Sequence, residues 1–142
     1  MAILRRSRVL LADDHQEMLE SIARLLTPEF EIVGQVKNGR DLIKLATDIR
    51  PDVCVIDISM PIMCGIDAVN SLNASGVRTK FVFLTVHEDQ DFVQAALKSG
   101  ALGYVVKSRI AEDLCHAIRT ALTGVSFVSP FKNSLGGGPM GD

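Results

Sequence analysis

Asp57 follows the apolar run at residues 53–56 and stands just ahead of a Ser-Met-Pro turn, inside the stretch DVCVIDISMP. A charge carried out of a segment fit only for a protein interior must have a counterpart there. Other reactive groups also follow short apolar runs: Asp13 and Asp14 after residues 9–12, Thr85 after 81–84, and Lys107 after 102–106. In an open parallel sheet, ligands bind beyond the carboxyl ends of the strands, near the point where strand order reverses. Were these runs strands of one such sheet, three carboxylates, a hydroxyl and an ammonium would meet at one edge. Crowded carboxylates repel one another unless a cation sits among them. Oxygen ligands with room for water suit Mg²⁺. Asp57 is then a candidate nucleophile toward a phosphoryl group whose charge the metal neutralises. Thr85 can hydrogen-bond one phosphoryl oxygen, and Lys107 can pair with another.

The elements that must position these groups are legible as alternation. Residues 9–12, 30–36, 53–56, 81–84 and 102–106 are apolar runs too short for helices. Four are nearly continuous in apolar residues, which suits strands covered on both faces, whereas the second alternates and belongs nearer an edge. Between them lie helix-period faces: Met18, Leu19, Ile22, Leu25 and Leu26 before Pro28; Leu42, Leu45, Ala46 and Ile49 before Pro51; and Ile66, Val69 and Leu72 before a turn at residues 73–76. Phe92, Val93, Ala96 and Leu97 precede Gly100, and Ile110, Leu114, Ile118, Ala121 and Leu122 precede Gly124. Strand and helix alternating five times predict a parallel sheet with helices on both faces.

The chain has 142 residues, 47% hydrophobic and 23% charged, with a formal net charge of −2. That composition fits one folded domain able to bury roughly two thirds of its unfolded surface. The charge balance argues against a chain built mainly to hold nucleic acid, and Arg5, Arg6 and Arg8 read as a solvated basic start. No apolar run approaches the roughly 18 residues a membrane span requires, and no signal-like segment is present, so a cytoplasmic setting is the default expectation. Cys54, Cys64 and Cys115 show no paired spacing and read as reduced thiols, the first and last as small core hydrophobes. After residues 1–128 comes a stretch, 129–142, with neither periodicity nor enough apolar side chains to join a core, read as a flexible tail or linker.

The segments LLADDHQEM, VIDISMPIMCGID, FLTVHED and GYVVKS resemble the receiver domain of two-component response regulators, in that family's order and spacing, over residues 8 to 128. The resemblance implies a flavodoxin-like (βα)5 fold with a five-stranded parallel sheet in the order 2-1-3-4-5. It also implies a phosphorylation switch that accepts a phosphoryl group from a sensor histidine kinase. Asp57 then matches the phosphoacceptor, Asp13 and Asp14 the acid pair that binds Mg²⁺, the Ser59 backbone carbonyl a further metal ligand, and Thr85 and Lys107 the phosphoryl-sensing pair. Tyr104 matches the aromatic that follows the threonine hydroxyl, altering the face of the fourth helix, fifth strand and fifth helix. The alternative reading of Tyr104 is a ring capping the core with its hydroxyl in water.

Two departures stand out. The family commonly follows the lysine with a proline, but Lys107 precedes Ser108, as in many receivers joined to a helix-turn-helix output. Val86 is bulkier than the residue many members carry after the threonine, and is expected to narrow access to Asp57. His15 reads as a loop histidine at a helix start, and His87 as a position where members tune dephosphorylation; neither suggests zinc. The likeness is greatest to receivers attached to a LuxR-type DNA-binding domain, through GALGYVVKS and AIRTALTGVSFVSP. Such a domain would begin beyond these residues, so no DNA binding is expected of this chain, while a homodimer is. The competing reading is a phosphatase of the haloacid dehalogenase type, which resembles D-x-D at its nucleophile. Here the second acid is replaced by Ser59, which removes the proton donor. A nucleotide-binding domain is disfavoured because no glycine-rich phosphate loop follows any strand.

Overall fold

The computed structural model describes residues 5–86 and 90–130. The elements run β1 (Arg8–Ala12), α1 (Gln16–Leu26), β2 (Glu31–Val36), α2 (Gly39–Ile49), β3 (Val53–Asp57), α3 (Gly65–Ala74), β4 (Lys80–Thr85), α4 (Gln90–Lys98), β5 (Gly103–Val106), a 3₁₀ turn (Lys107–Arg109), α5 (Ile110–Leu122) and β6 (Phe127–Val128). All strand pairs are parallel, and the sheet order is β2-β1-β3-β4-β5-β6.

The continuous apolar runs are explained by the two layers of helices. Alternate strand residues point to opposite faces. Leu10, Ala12, Cys54, Ile56, Phe81, Phe83 and Tyr104 join a core with Leu42 and Ala46 of α2, Ala68, Val69 and Leu72 of α3, and Val93 and Ala96 of α4. Val9, Leu11, Val53, Val55, Val82, Leu84 and Val105 join another with Leu19, Ile22 and Leu26 of α1, and Leu114, Ala117, Ile118 and Ala121 of α5. β2, expected near an edge, is an edge strand, and its residues are only half-buried or exposed. Helix ends follow local chemistry. Asn38 caps α2 by accepting from the Asp41 N–H at 2.8 Å. Arg50, at φ 46°, ends α2 ahead of Pro51, which disfavours a helical residue before it.

Among the described residues the expected five strands become six. Gly124, at φ 83°, turns the chain after α5. β6 then runs back parallel to β5, pairing Gly103 with Phe127 and Tyr104 with Val128. Two residues of strand, Phe127 half-buried beside His116 at 5.2 Å, carry too little periodicity to announce themselves in sequence. Ser129, expected at the start of the tail, is instead buried within the domain. The rest of that tail, from residue 131, lies outside the described residues, as does His87. Among the described residues no helix is long and apolar enough to cross a membrane.

Candidate functional site

The sheet order reverses at β1, since the chain passes from β1 to β2 on one side and then to β3 on the other. The carboxyl ends of β1 and β3 therefore flank the crevice where a doubly wound sheet binds ligands. Asp13 and Asp14 follow β1, and Asp57 is the last residue of β3. Asp13 is fully buried and Asp57 is 4% exposed. Asp13 is held by its own N–H, which donates to the Val36 carbonyl at 3.0 Å.

The loop after Asp57 is fixed by close backbone packing. Ile58 N–H donates to the Leu84 carbonyl at 3.1 Å, and Gly65 N–H returns to the Ile58 carbonyl at 2.8 Å. A Cβ at residue 65 would lie 2.7 Å from the Asp57 carbonyl oxygen, so only glycine permits this approach. Between them the chain makes a γ-turn at Ile62, with φ 71° and the Met63 N–H on the Pro61 carbonyl at 2.7 Å. A β-branched residue in that region is strained, and the strain sits in the loop that carries Ser59. Ser59 N–H donates to Asp57 Oδ1 at 3.3 Å.

Lys107 reaches the acids from the 3₁₀ turn after β5. Its Nζ lies 3.0 Å from Asp13 Oδ2 and 3.4 Å from Asp57 Oδ2. The turn forms with Ser108 in place of proline, and among the described residues every peptide bond is trans. Thr85, buried at the end of β4, pairs in register with Val106, the neighbour of Lys107. Tyr104 stands opposite Phe83 and is fully buried, so its hydroxyl is not in water. Burial raises the Asp57 carboxyl above its ordinary value; Lys107 opposes the rise, Asp13 adds to it, and the Ser59 N–H and the Lys107 hydrogen bond oppose it. Val86 is 70% exposed next to the site.

The donor set fits a hard cation. Asp13, Asp14, His15 and Asp57 each offer one atom, all within 4.8 Å of one another. Asp14 Oδ1 is buried without a hydrogen-bond partner; His15 Nδ1 is 3.1 Å away but outside hydrogen-bond geometry. An orphaned carboxylate oxygen among other carboxylates is what a bound Mg²⁺ would satisfy. His15 is the helix-start residue the sequence suggested, the N-cap of α1, with its N–H on Asp13 Oδ1 at 2.9 Å. Its approach to the acids is visible only in three dimensions.

Sequence reasoning missed one buried polar group beside the site. Asp113, near the start of α5, accepts from Arg109 Nε at 2.8 Å and Arg109 Nη2 at 3.2 Å, and from Ser129 Oγ at 2.8 Å. The Arg109–Asp113 spacing of four was readable as a helical pair. Nothing in the sequence announced Ser129.

A parallel, doubly wound domain with an acid pair, a central Asp and a converging Lys defines the class of response-regulator receivers. The family model described as "Response regulator receiver domain" matches residues 9–119, and the chain belongs to that family. It is 33% identical over 125 residues to the transcriptional regulatory protein DegU of Brevibacillus brevis, covering 87% of this chain and 53% of that protein. It is 35% identical to the response regulator GacA of Pseudomonas aeruginosa, covering 87% and 58%. The chain thus spans between half and three fifths of these relatives' lengths. A solved LuxR-family two-component response regulator from Aurantimonas superposes with a TM-score of 0.82 at 28% identity, covering 87% of this chain and 89% of that one. Receiver domains bind Mg²⁺ at such an acidic group, interact with histidine kinases and other phosphotransfer partners, and are not classical enzymes. The dehalogenase-type alternative is not favoured.

Proposed function

We propose that Asp57 of this chain accepts a phosphoryl group from the phosphohistidine of a sensor kinase, and that the resulting acyl phosphate switches an output. The observation that carries this reading is the meeting of Asp13, Asp57 and Lys107, from β1, β3 and the turn after β5, within 3.4 Å of the Lys107 ammonium. A carboxylate oxygen of Asp57 attacks phosphorus, the P–N bond breaks, and the imidazole leaves with the electron pair. Asp13, Asp14, Asp57 and the Ser59 carbonyl would hold Mg²⁺, which supplies charge neutralisation to the incoming phosphoryl group. Lys107 pairs with one phosphoryl oxygen and Thr85 hydrogen-bonds another. The chain assists only its own phosphorylation and dephosphorylation, and acts on no separate substrate.

The phosphoryl group can shift the domain only by binding one conformation better than another. Thr85 and Tyr104 are the elements read as carrying that shift, since the two lie on adjacent strands beside the site, both buried. The output is read as transcription control by a DNA-binding domain, with no DNA binding by the described receiver body itself. Incubation with a small phosphodonor and Mg²⁺, followed by intact mass, tests the reading. One hydroxylamine-labile phosphate per chain is expected, absent in Asp57→Asn and absent with a chelator. Phosphate retained in Asp57→Asn, or steady turnover of a phosphoester, would remove it.

A further inference from the structure

The Lys107 ammonium must be held in place by a turn only three residues long, and Ser108 gives that turn no ring to fix its backbone. What brackets the turn comes from further along the chain. On one side, the Val106 N–H donates to Ser129 Oγ at 3.2 Å. On the other, Arg109 makes a two-pronged contact with Asp113. Ser129 Oγ joins the two halves by donating to Asp113 Oδ2, while the Ser129 N–H donates to the Tyr104 carbonyl at 2.9 Å. Ser129 is 2% exposed and Asp113 7%. Val106, just before Lys107, and Arg109, two residues after it, are therefore both tied to one buried Ser-Asp pair, its serine delivered by the sixth strand.

We infer that Arg109, Asp113 and Ser129 form a clamp that positions Lys107 for phosphoryl transfer to Asp57, making Ser129 and Arg109 positioning residues. The inference rests on the proposed role of Lys107. Bidentate guanidinium–carboxylate pairs fix geometry as well as charge. Burial pushes Asp113 upward, but the Arg109 and Ser129 hydrogen bonds outweigh it and hold its carboxyl below the ordinary value, so it stays ionised to receive them. Ser129→Ala leaves the buried Val106 N–H without its acceptor and frees one side of the turn, and Arg109→Gln frees the other.

The test is a double-mutant cycle on the rate of phosphorylation by a small phosphodonor with Mg²⁺, read by intact mass. Arg109 is 39% exposed at its side chain, so Arg109→Gln keeps the cycle usable even where Ser129→Ala fails to fold. Each single variant is expected to slow phosphorylation about tenfold, because displacement of a reacting group by a fraction of an ångström is costly. In a Lys107→Ala background neither should slow it further, to within about twofold. A structural staple alone would lower the unfolding midpoint and leave the rate of the folded protein unchanged. A folded Ser129→Ala or Arg109→Gln protein that reacts at the parent rate overturns the clamp, as does a loss of rate that persists undiminished without Lys107. Were Lys107→Ala itself to react like the parent, the role proposed for Lys107 would fail instead. Those two failures are distinct.

Discussion

Asp57 holds its charge where little water reaches it, and that has a cost in the absence of metal. Burial and the neighbouring Asp13 raise its carboxyl above 3.8, and Lys107 offsets only part. A carboxylate whose folded pKa is raised binds its proton more tightly when folded. The penalty is absent well below pH 3.8, grows as pH rises from there, and is complete only above the folded value. In chelator at pH 7, Asp57→Asn is therefore expected to unfold at a higher temperature than the parent, with the gap closing toward pH 4. Mg²⁺ should raise the parent's midpoint more than the variant's. Thermal unfolding followed by circular dichroism reads both, and a variant less stable than the parent in chelator would contradict the account. Val86, exposed beside the site, is the other residue with a readable effect. Val86→Ala is expected to open access to Asp57 and shorten the phosphoryl lifetime a few-fold, since shielding from water slows hydrolysis. An equal or longer lifetime would show that the side chain shields nothing.

The β3–α3 connection sets where Asp57 and Ser59 stand. Gly65 allows the helix start to press against the Asp57 carbonyl, and Gly39 meets the Met63 carbonyl as closely. Gly65→Ala must push the loop outward. The expected cost is about 1–3 kcal/mol in chemical denaturation, as for other overpacked sites, together with slower phosphorylation because Asp57 moves with the loop. Unchanged stability and rate would mean that the loop yields without disturbing the acid. The positions of Asp57, Ser59 and Gly65 in the sequence were legible, and so was the class of chemistry. Their close packing was not, because contact at van der Waals range depends on how two elements meet and leaves no periodic trace.

Across the whole domain, β6 adds a sixth strand whose residues reach both the outer edge of β5 and the start of α5. Phe127 sits edge-on to His116, and Ser129 reaches Tyr104, Val106 and Asp113. A chain ending at Ser126 loses all of these together and is expected to be less stable by about 2 kcal/mol, a sum of one half-buried aromatic and a few hydrogen bonds. Urea unfolding measures it. A truncated chain as stable as the parent would make β6 an ornament of the fold, not part of it.

The five apolar runs and five helical faces determined the doubly wound sheet, because residues covered on both sides must alternate between two apolar layers and little else satisfies that pattern. With the sheet came the edge at which Asp13, Asp14, Asp57, Thr85 and Lys107 end their strands, since position along a parallel strand decides which end a residue occupies. Only tertiary structure decided which polar atoms meet. The orphaned oxygen of Asp14 and the approach of His15 depend on how the β1 end and the start of α1 are packed, and the bracketing of Lys107 through Ser129 joins distant residues by directional contacts of about 3 Å, which are set by packing and not by spacing along the chain.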